Sequence, residues 1–343
     1  MPNDVRQSRR RVLASAAIGI AAAEAALGAG ARADPGGSAR RGPGSVPVRQ
    51  IRAGVLDVGC IDLGPADGPP VLLLHGFPYG VASCAEVGPR LAARGCRVIV
   101  PHLRGHGTTR FLDASMPRAG QQAAIGADVV ALLDALHIDR AVLAGYDWGG
   151  RAACVVAALW PARCAGLVSV DGYLVQDIAA AARPLPPTVE SGLWYQFYFA
   201  TARGRAGLTA YRRELARTLG LRNSPTWHLD DATLDRNAAA FDTPDYVDVV
   251  VRSYRHRLGL ADGHPAYADL EGRLAALPAI PVPTVTLDGG ADGVVRATEG
   301  TAQAARFTGP RQHRGVPGFG HNLPEEAPDA FTDAVWQLVA RPR

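Results

Sequence analysis

An α/β fold, with a mostly parallel sheet flanked by helices and interrupted by a helical insertion, is predicted by three observations. Short apolar runs alternate with helical patterns along the first half of the chain. That alternation stops between about residues 173 and 271 and then returns. A glycine-punctuated turn, Gly145-Tyr146-Asp147-Trp148-Gly149-Gly150, joins one apolar run to the helix after it. The chain has 343 residues, 48% hydrophobic and 20% charged, an ordinary globular composition. It is long enough to bury a sizeable core without disulfide staples.

Each element follows from its local pattern. Residues 48–55 and 58–62 form two short strand-like runs around a plausible hairpin turn. Residues 71–74 make a buried strand between a Pro-Pro pair and His75-Gly76. A helix over 87–94 leads to a strand at 98–100. A helix over 123–137 carries apolar side chains at helical spacing and leads to the strand 141–144. The next helix ends at Trp160, before Pro161, and is followed by a strand at 167–170. Buried strands of this kind require helices on both faces of a mostly parallel sheet. The insertion is rich in aromatics and arginine, with helices at 191–203, 208–219, 231–237 and 246–258. Strands at 284–287 and near 312–315 then precede a closing helix over 324–339. Pro324, Glu325 and Glu326 suit the start of that helix and its dipole.

The expected organisation has five parts: a signal peptide (1–33), a flexible leader (34–46), a first core segment (47–172), the helical insertion (173–271) and a second core segment (272–343). Ser8-Arg9-Arg10-Arg11-Val12-Leu13 resembles the twin-arginine export motif, with Val12 where phenylalanine is preferred. An Ala/Gly-rich apolar stretch follows, then Ala31-Arg32-Ala33 as a small-x-small cleavage site. Glu24 and the scarcity of large aliphatic residues argue against a stable membrane anchor. The expectation is export by the twin-arginine translocase to the periplasm or beyond.

All 36 basic residues are arginine, and the net charge is +4. Five arginines against Asp4 and Glu24 place most of that surplus in the first 33 residues. The nearly neutral remainder argues against a nucleic-acid partner, whose affinity comes from phosphate neutralisation. The five cysteines show neither a disulfide framework nor zinc spacing, and suit buried structural thiols. No metal or cofactor is expected.

The chemistry centres on Asp147. Gly145 and Gly149 flank it at the spacing of a nucleophile elbow, a sharp strand-to-helix turn that exposes one side chain at a helix N-terminus. A carboxylate there suits attack on an sp3 carbon, giving an alkyl ester that water can hydrolyse. Downstream lie Gly289-Gly290-Ala291-Asp292 and Gly318-Phe319-Gly320-His321, in the order nucleophile, acid, histidine. Asp292 would hold the tautomer of His321, which would deprotonate water. Asp171, at the end of the strand after the elbow helix, is a rival acid, and Asp288 a weaker one.

With His75-Gly76-Phe77-Pro78 and Arg104-Gly105-His106-Gly107, these segments make the chain resemble an α/β-hydrolase of the epoxide hydrolase and haloalkane dehalogenase group, from about residue 48 to the end. The resemblance implies the α/β-hydrolase fold, a small apolar substrate such as an epoxide or haloalkane, and a helical cap. It implies an oxyanion hole made by the backbone N–H groups of Phe77 and Trp148. Trp194-Tyr195-Gln196-Phe197-Tyr198-Phe199 and Ser253-Tyr254-Arg255 resemble the cap segments that supply two epoxide-binding tyrosines, which map to Tyr195 and Tyr254. Arg151 matches a position in fluoroacetate dehalogenases, but those also place arginine directly after the nucleophile, where this chain has Trp148. A carboxylate-clamping pair is therefore not expected.

The leading expectation is a cofactor-independent epoxide hydrolase. A haloalkane dehalogenase is the rival on the same fold, and a non-catalytic binding protein the rival of another class.

Overall fold

The computed structural model describes residues 47–301 and 303–341. The expected signal peptide and leader lie outside the described residues.

The first segment begins with strands β1 (Arg49–Ala53), β2 (Leu56–Leu63) and β3 (Pro70–Leu74), then helix α1 (Val87–Ala93). Strands β4 (Arg97–Pro101) and β5 (Arg110–Phe111) precede helix α2 (Gln122–Ala135). Strand β6 (Ala141–Gly145), helix α3 (Asp147–Leu159) and strand β7 (Cys164–Val170) complete it. Six helices follow: α4 (Pro187–Glu190), α5 (Trp194–Phe199), α6 (Ala202–Ala210), α7 (Arg212–Asn223), α8 (Asp231–Ala238) and α9 (Tyr246–Arg257). The chain closes with α10 (Ala268–Ala275), β8 (Thr284–Gly289), β9 (Arg311–Val316), α11 (Leu323–Glu326) and α12 (Pro328–Val339).

The sheet order is β1-β2-β4-β3-β6-β7-β8-β9, with β5 paired to β2. From β4 through β9 every pairing along this path is parallel, while β1 and β2 add an antiparallel edge. Alternation in β3 shows how the two faces are covered. Leu72 and Leu74 face one core with Val129 of α2 and Val155 of α3, while Val71 and Leu73 face a second with Leu91 of α1 and Phe331 of α12. All four strand residues are buried, each contributing about 1.5–3 kcal/mol by leaving water. The five cysteines are all buried and unpaired. No helix among the described residues is long and apolar enough to cross a membrane.

Register brings the strand ends together. Leu74 pairs with Gly145, Gly145 with Ser169, and Val170 with Leu287. The carboxyl ends of β3, β6, β7 and β8 therefore align, and the loops leaving them share one rim. Strand order reverses beside β3, so that rim is also the topological switch point where α/β sheets bind ligands.

Helices depart from the sequence expectation at three places. The helix expected over 191–203 ends at Phe199, because the Thr201 side chain accepts from the Gly204 N–H at 2.9 Å and starts a new helix there. The one expected over 208–219 is interrupted at Tyr211, with φ −130°. The one expected over 324–339 breaks at Ala327, which precedes Pro328 and is held out of the helical region (φ −133°, ψ 59°). The expected end of the insertion at residue 271 falls inside α10. Glu271 accepts from the Ala123 N–H at 3.0 Å, satisfying an orphan donor at the start of α2 and tying α10 to the core.

Candidate active site

The elbow is dictated by its glycines. Asp147 sits at φ +47°, in the left-handed region. A Cβ on Gly149 would come within 2.1 Å of the Leu74 carbonyl oxygen, and one on Gly145 within 2.5 Å of the Gly149 backbone. Only glycine lets the turn pack this closely against β3. The turn delivers the Asp147 side chain to the rim, where the Phe77 N–H donates to Oδ1 at 2.7 Å. The Phe77–Pro78 peptide is cis. Trp148 lies in the first turn of α3, whose N–H groups have no intrahelical acceptor.

His321 stands opposite. Its Nε2 lies 3.8 Å from Asp147 Oδ2. Its Nδ1 donates to Asp292 Oδ2 at 2.6 Å and lies 3.3 Å from Asp171 Oδ2, without hydrogen-bond geometry to the latter. Asp292 is held in turn by the N–H groups of Val294 and Val295, which donate to Oδ1 at 2.6 and 2.9 Å. Both acids foreseen as alternatives therefore reach the same nitrogen, and Asp292 makes the hydrogen bond. Asp288 instead accepts from Thr298 N–H at 2.9 Å.

Electrostatics separates the carboxyl groups. Burial, and then the charge of Asp292, pushes the Asp171 carboxyl well above the usual carboxylate range. Burial also opposes ionisation of Asp147, but His321, whose Nε2 stands 3.8 Å away, and the Phe77 N–H outweigh it and hold its pKa below the ordinary value. For His321, burial disfavours the imidazolium. The charge of Asp292, helped by the hydrogen bond to it and by the nearby Asp147 carboxylate, overcomes that and raises its pKa well above the ordinary value. These surroundings favour the charged forms of Asp147 and His321 and disfavour the charged form of Asp171.

A cavity of about 230 Å³ opens onto this group, walled by Asp147, His321, Tyr195, Leu193, Arg151 and Arg257 among others. Tyr195 comes from α5 and Tyr254 from α9, and their rings meet at 5.6 Å and 88°. Burial, and then the charge of Asp147, raises the pKa of Tyr195, so its phenol keeps its proton. Tyr254 is fully buried, and its hydroxyl has no partner. It belongs to the aromatic cluster around Phe77 and Trp148 and is not part of the cavity wall.

Three supports were not foreseen from sequence. Ser224, just after α7, accepts from the His321 N–H at 2.9 Å and donates to Glu326. Glu326 accepts from the N–H groups of Gly320 at 2.8 Å and Asn322 at 2.9 Å, fixing the loop of the histidine. Arg257, at the end of α9, donates to Gln176 Oε1 at 2.8 Å and lines the cavity. Glu326 was visible in sequence only as an acid suited to a helix start. The other two carried no local signal.

A family profile described as the alpha/beta hydrolase fold matches residues 69–328. The chain belongs to that family. Within it the chain is an epoxide hydrolase-like hydrolase. A solved structure from Klebsiella pneumoniae subsp. pneumoniae, provisionally named an epoxide hydrolase, is 51% identical, with a TM-score of 0.84 over 86% of this chain and 97% of that one. Epoxide hydrolase A of Mycobacterium tuberculosis is 26% identical over 86% of this chain and 98% of its own length. The magnesium-chelatase 30 kDa subunit of Rhodobacter capsulatus is 30% identical over 85% of this chain and 96% of its own.

Proposed function

We propose that the protein opens epoxides to diols through a covalent ester on Asp147. The observation that carries this reading is the position of one carboxylate at the elbow, with Oδ1 on the Phe77 N–H and Oδ2 facing His321 Nε2. Serine-type acyl transfer is disfavoured because Asp147 stands in the nucleophile's place.

In this mechanism Asp147 Oδ2 attacks an epoxide carbon. The carbon–oxygen bond of the ring breaks, and its electron pair stays on the epoxide oxygen. Tyr195, on the cavity wall, donates to that oxygen; Tyr254, whose hydroxyl is buried without a partner outside that wall, joins it as second phenol only by turning toward the cavity. His321 then takes a proton from water, and the resulting hydroxide attacks Cγ of the ester. The N–H groups of Phe77 and Trp148 stabilise the oxyanion. Collapse breaks the bond from Cγ to the alkyl oxygen; the imidazolium and the new carboxyl group give the two protons of the water to the two product oxygens, which releases the diol and restores the carboxylate and the base. Replacing His321 by glutamine removes the base and leaves the nucleophile. The His321→Gln protein, incubated with a reactive epoxide, is expected to gain the mass of the whole substrate on the Asp147 peptide. An epoxide that the parent turns over, yet that leaves no adduct there, refutes the covalent path.

A haloalkane dehalogenase is the second reading. The buried indole Nε1 of Trp148 has no acceptor, and an N–H donor of that kind would suit a departing halide.

The arginine-paired leader supports a further proposal, export by the twin-arginine route. Changing Arg9 and Arg10 to lysine keeps the charge and is expected to retain the precursor in the cytoplasm, read by fractionation. Unimpaired export of that variant would argue for the general secretory route.

A further inference from the structure

Two guanidinium groups share the cavity with the nucleophile. Arg151 lies one turn into α3, is only 9% exposed, and donates from Nη1 to the Leu174 carbonyl at 2.6 Å. Its Nε donates to nothing. Arg257 reaches the same cavity from the cap, with its guanidinium carbon 5.2 Å from the centroid of the Tyr254 ring.

Arg104, 1% exposed, gives Nε and Nη2 to Asp128, each at 2.6 Å. Arg118 gives Nε to Asp245 at 2.7 Å. These arginines hold the structure together, and each has its carboxylate. Among the described residues neither Arg151 nor Arg257 forms an ion pair; the side-chain hydrogen bonds they donate to protein go to neutral oxygens. Burial, and then the like charge of Arg257, lowers the Arg151 pKa to about 9. Two cations held near each other in a partly dry cavity favour an anion placed between them. The Asp147 carboxylate offsets part of that charge, and one carboxylate against two guanidiniums leaves a surplus that a neutral substrate does not meet.

We propose that the substrate carries a carboxylate, clamped by Arg151 and Arg257 while its electrophilic carbon faces Asp147. The proposal rests on the reading of Asp147 as the nucleophile. Planar guanidiniums match a carboxylate with paired hydrogen bonds. They also offset the repulsion between an anionic substrate and the Asp147 carboxylate. The clamp draws one arginine from the elbow helix and the other from the cap, so it does not require arginine in the position of Trp148.

The test compares two epoxides of one skeleton, trans-2,3-epoxybutanoate and trans-2,3-epoxybutanamide, with the full chain. The acid is expected to exceed the amide in kcat/KM by roughly 10²-fold, the order of two charge-assisted hydrogen bonds. In Arg257→Gln that ratio is expected to fall at least ~10-fold, mainly through the KM of the acid. Arg257→Lys, which keeps the charge but loses the fork, should retain part of the preference and controls for folding. Unreactive butanoate is expected to raise the thermal midpoint of the parent, and less so that of Arg257→Gln. If the amide reacts as well as the acid, the clamp is refuted while epoxide opening stands; the arginines then serve only to keep Asp147 ionised. An acid preference that Arg257→Gln leaves intact also refutes it. If no epoxide reacts but 2-chloropropanoate loses chloride in preference to its amide, epoxide opening fails and the clamp stands.

Discussion

The floor and the cap wall of the cavity are built on different principles. The floor, with Phe77, Asp147, Asp171 and Asp292, hangs from loops at the ends of four hydrogen-bonded strands whose register is fixed. Each floor carboxylate has its position set by backbone geometry: a positive φ at Asp147 and Asp171, and two N–H donors on Asp292. The wall, with Tyr195 and Arg257, comes from helices of the insertion held by aromatic packing, Tyr195 against the buried Tyr254, and by side-chain hydrogen bonds. The floor is placed by the main chain, the wall by side chains. A reaction that needs fixed geometry sits on the first, and a surface that selects substrates can change on the second without disturbing it.

The sharpest way to break this comparison is within the floor. If Asp292 alone orients His321, Asp292→Asn is expected to reduce turnover by ~10³-fold or more, as loss of a histidine's orienting acid does elsewhere. Asp171→Asn, which replaces a group whose charged form is disfavoured by burial and by Asp292, is expected to cost ~10-fold or less. Steady-state rates on one epoxide, with circular dichroism to check folding, decide it; the reverse ranking moves the role to Asp171. On the wall, Tyr195→Phe is expected to slow alkylation of Asp147 by ~10²-fold, the range of a positioned acid. The double variant with Tyr254→Phe should be slower still. Parental rates in the double variant would make the two phenols packing groups and refute epoxide opening as assigned.

The smallest effect joins floor to base. The carboxylate of Asp147 is one of the groups that favour the imidazolium of His321. Removing its charge must therefore lower the His321 pKa, and Asp147→Asn mimics the loss that ester formation causes. A downward shift of about one unit is expected from NMR titration of the imidazole, on the scale of one neighbouring charge. The sign matters for turnover. In the proposed mechanism, alkylation would make His321 release its proton more readily, so that the base becomes available when the ester needs water. An unchanged or raised midpoint would break that coupling.

How much of this was legible in the sequence follows the same division. Strands β3, β6, β7 and β8 announced themselves as apolar runs, and the elbow and histidine loops as glycines around one polar residue. The main chain placed those parts, and main-chain demands leave glycine signatures. The breaks at Thr201 and Ala327 were missed because a cap and a pre-proline residue outweigh local helical periodicity. Ser224 and Arg257 were missed because each meets its partner across a long stretch of chain, with no spacing rule to connect them. The proposed clamp is an example, since Arg257 lies 110 residues downstream of Asp147.

The bond from the His321 N–H to Ser224 has a consequence for traffic. Ser224 closes one of the cap helices, and a Cβ on Gly320 would come within 2.5 Å of its Cα, so cap and histidine loop meet there backbone to backbone. Lifting that corner of the cap would withdraw a support from the base. That corner would then work as an interlock, in which raising it removes the hydrogen bond that seats the base, and molecules passing with the base seated would use another edge.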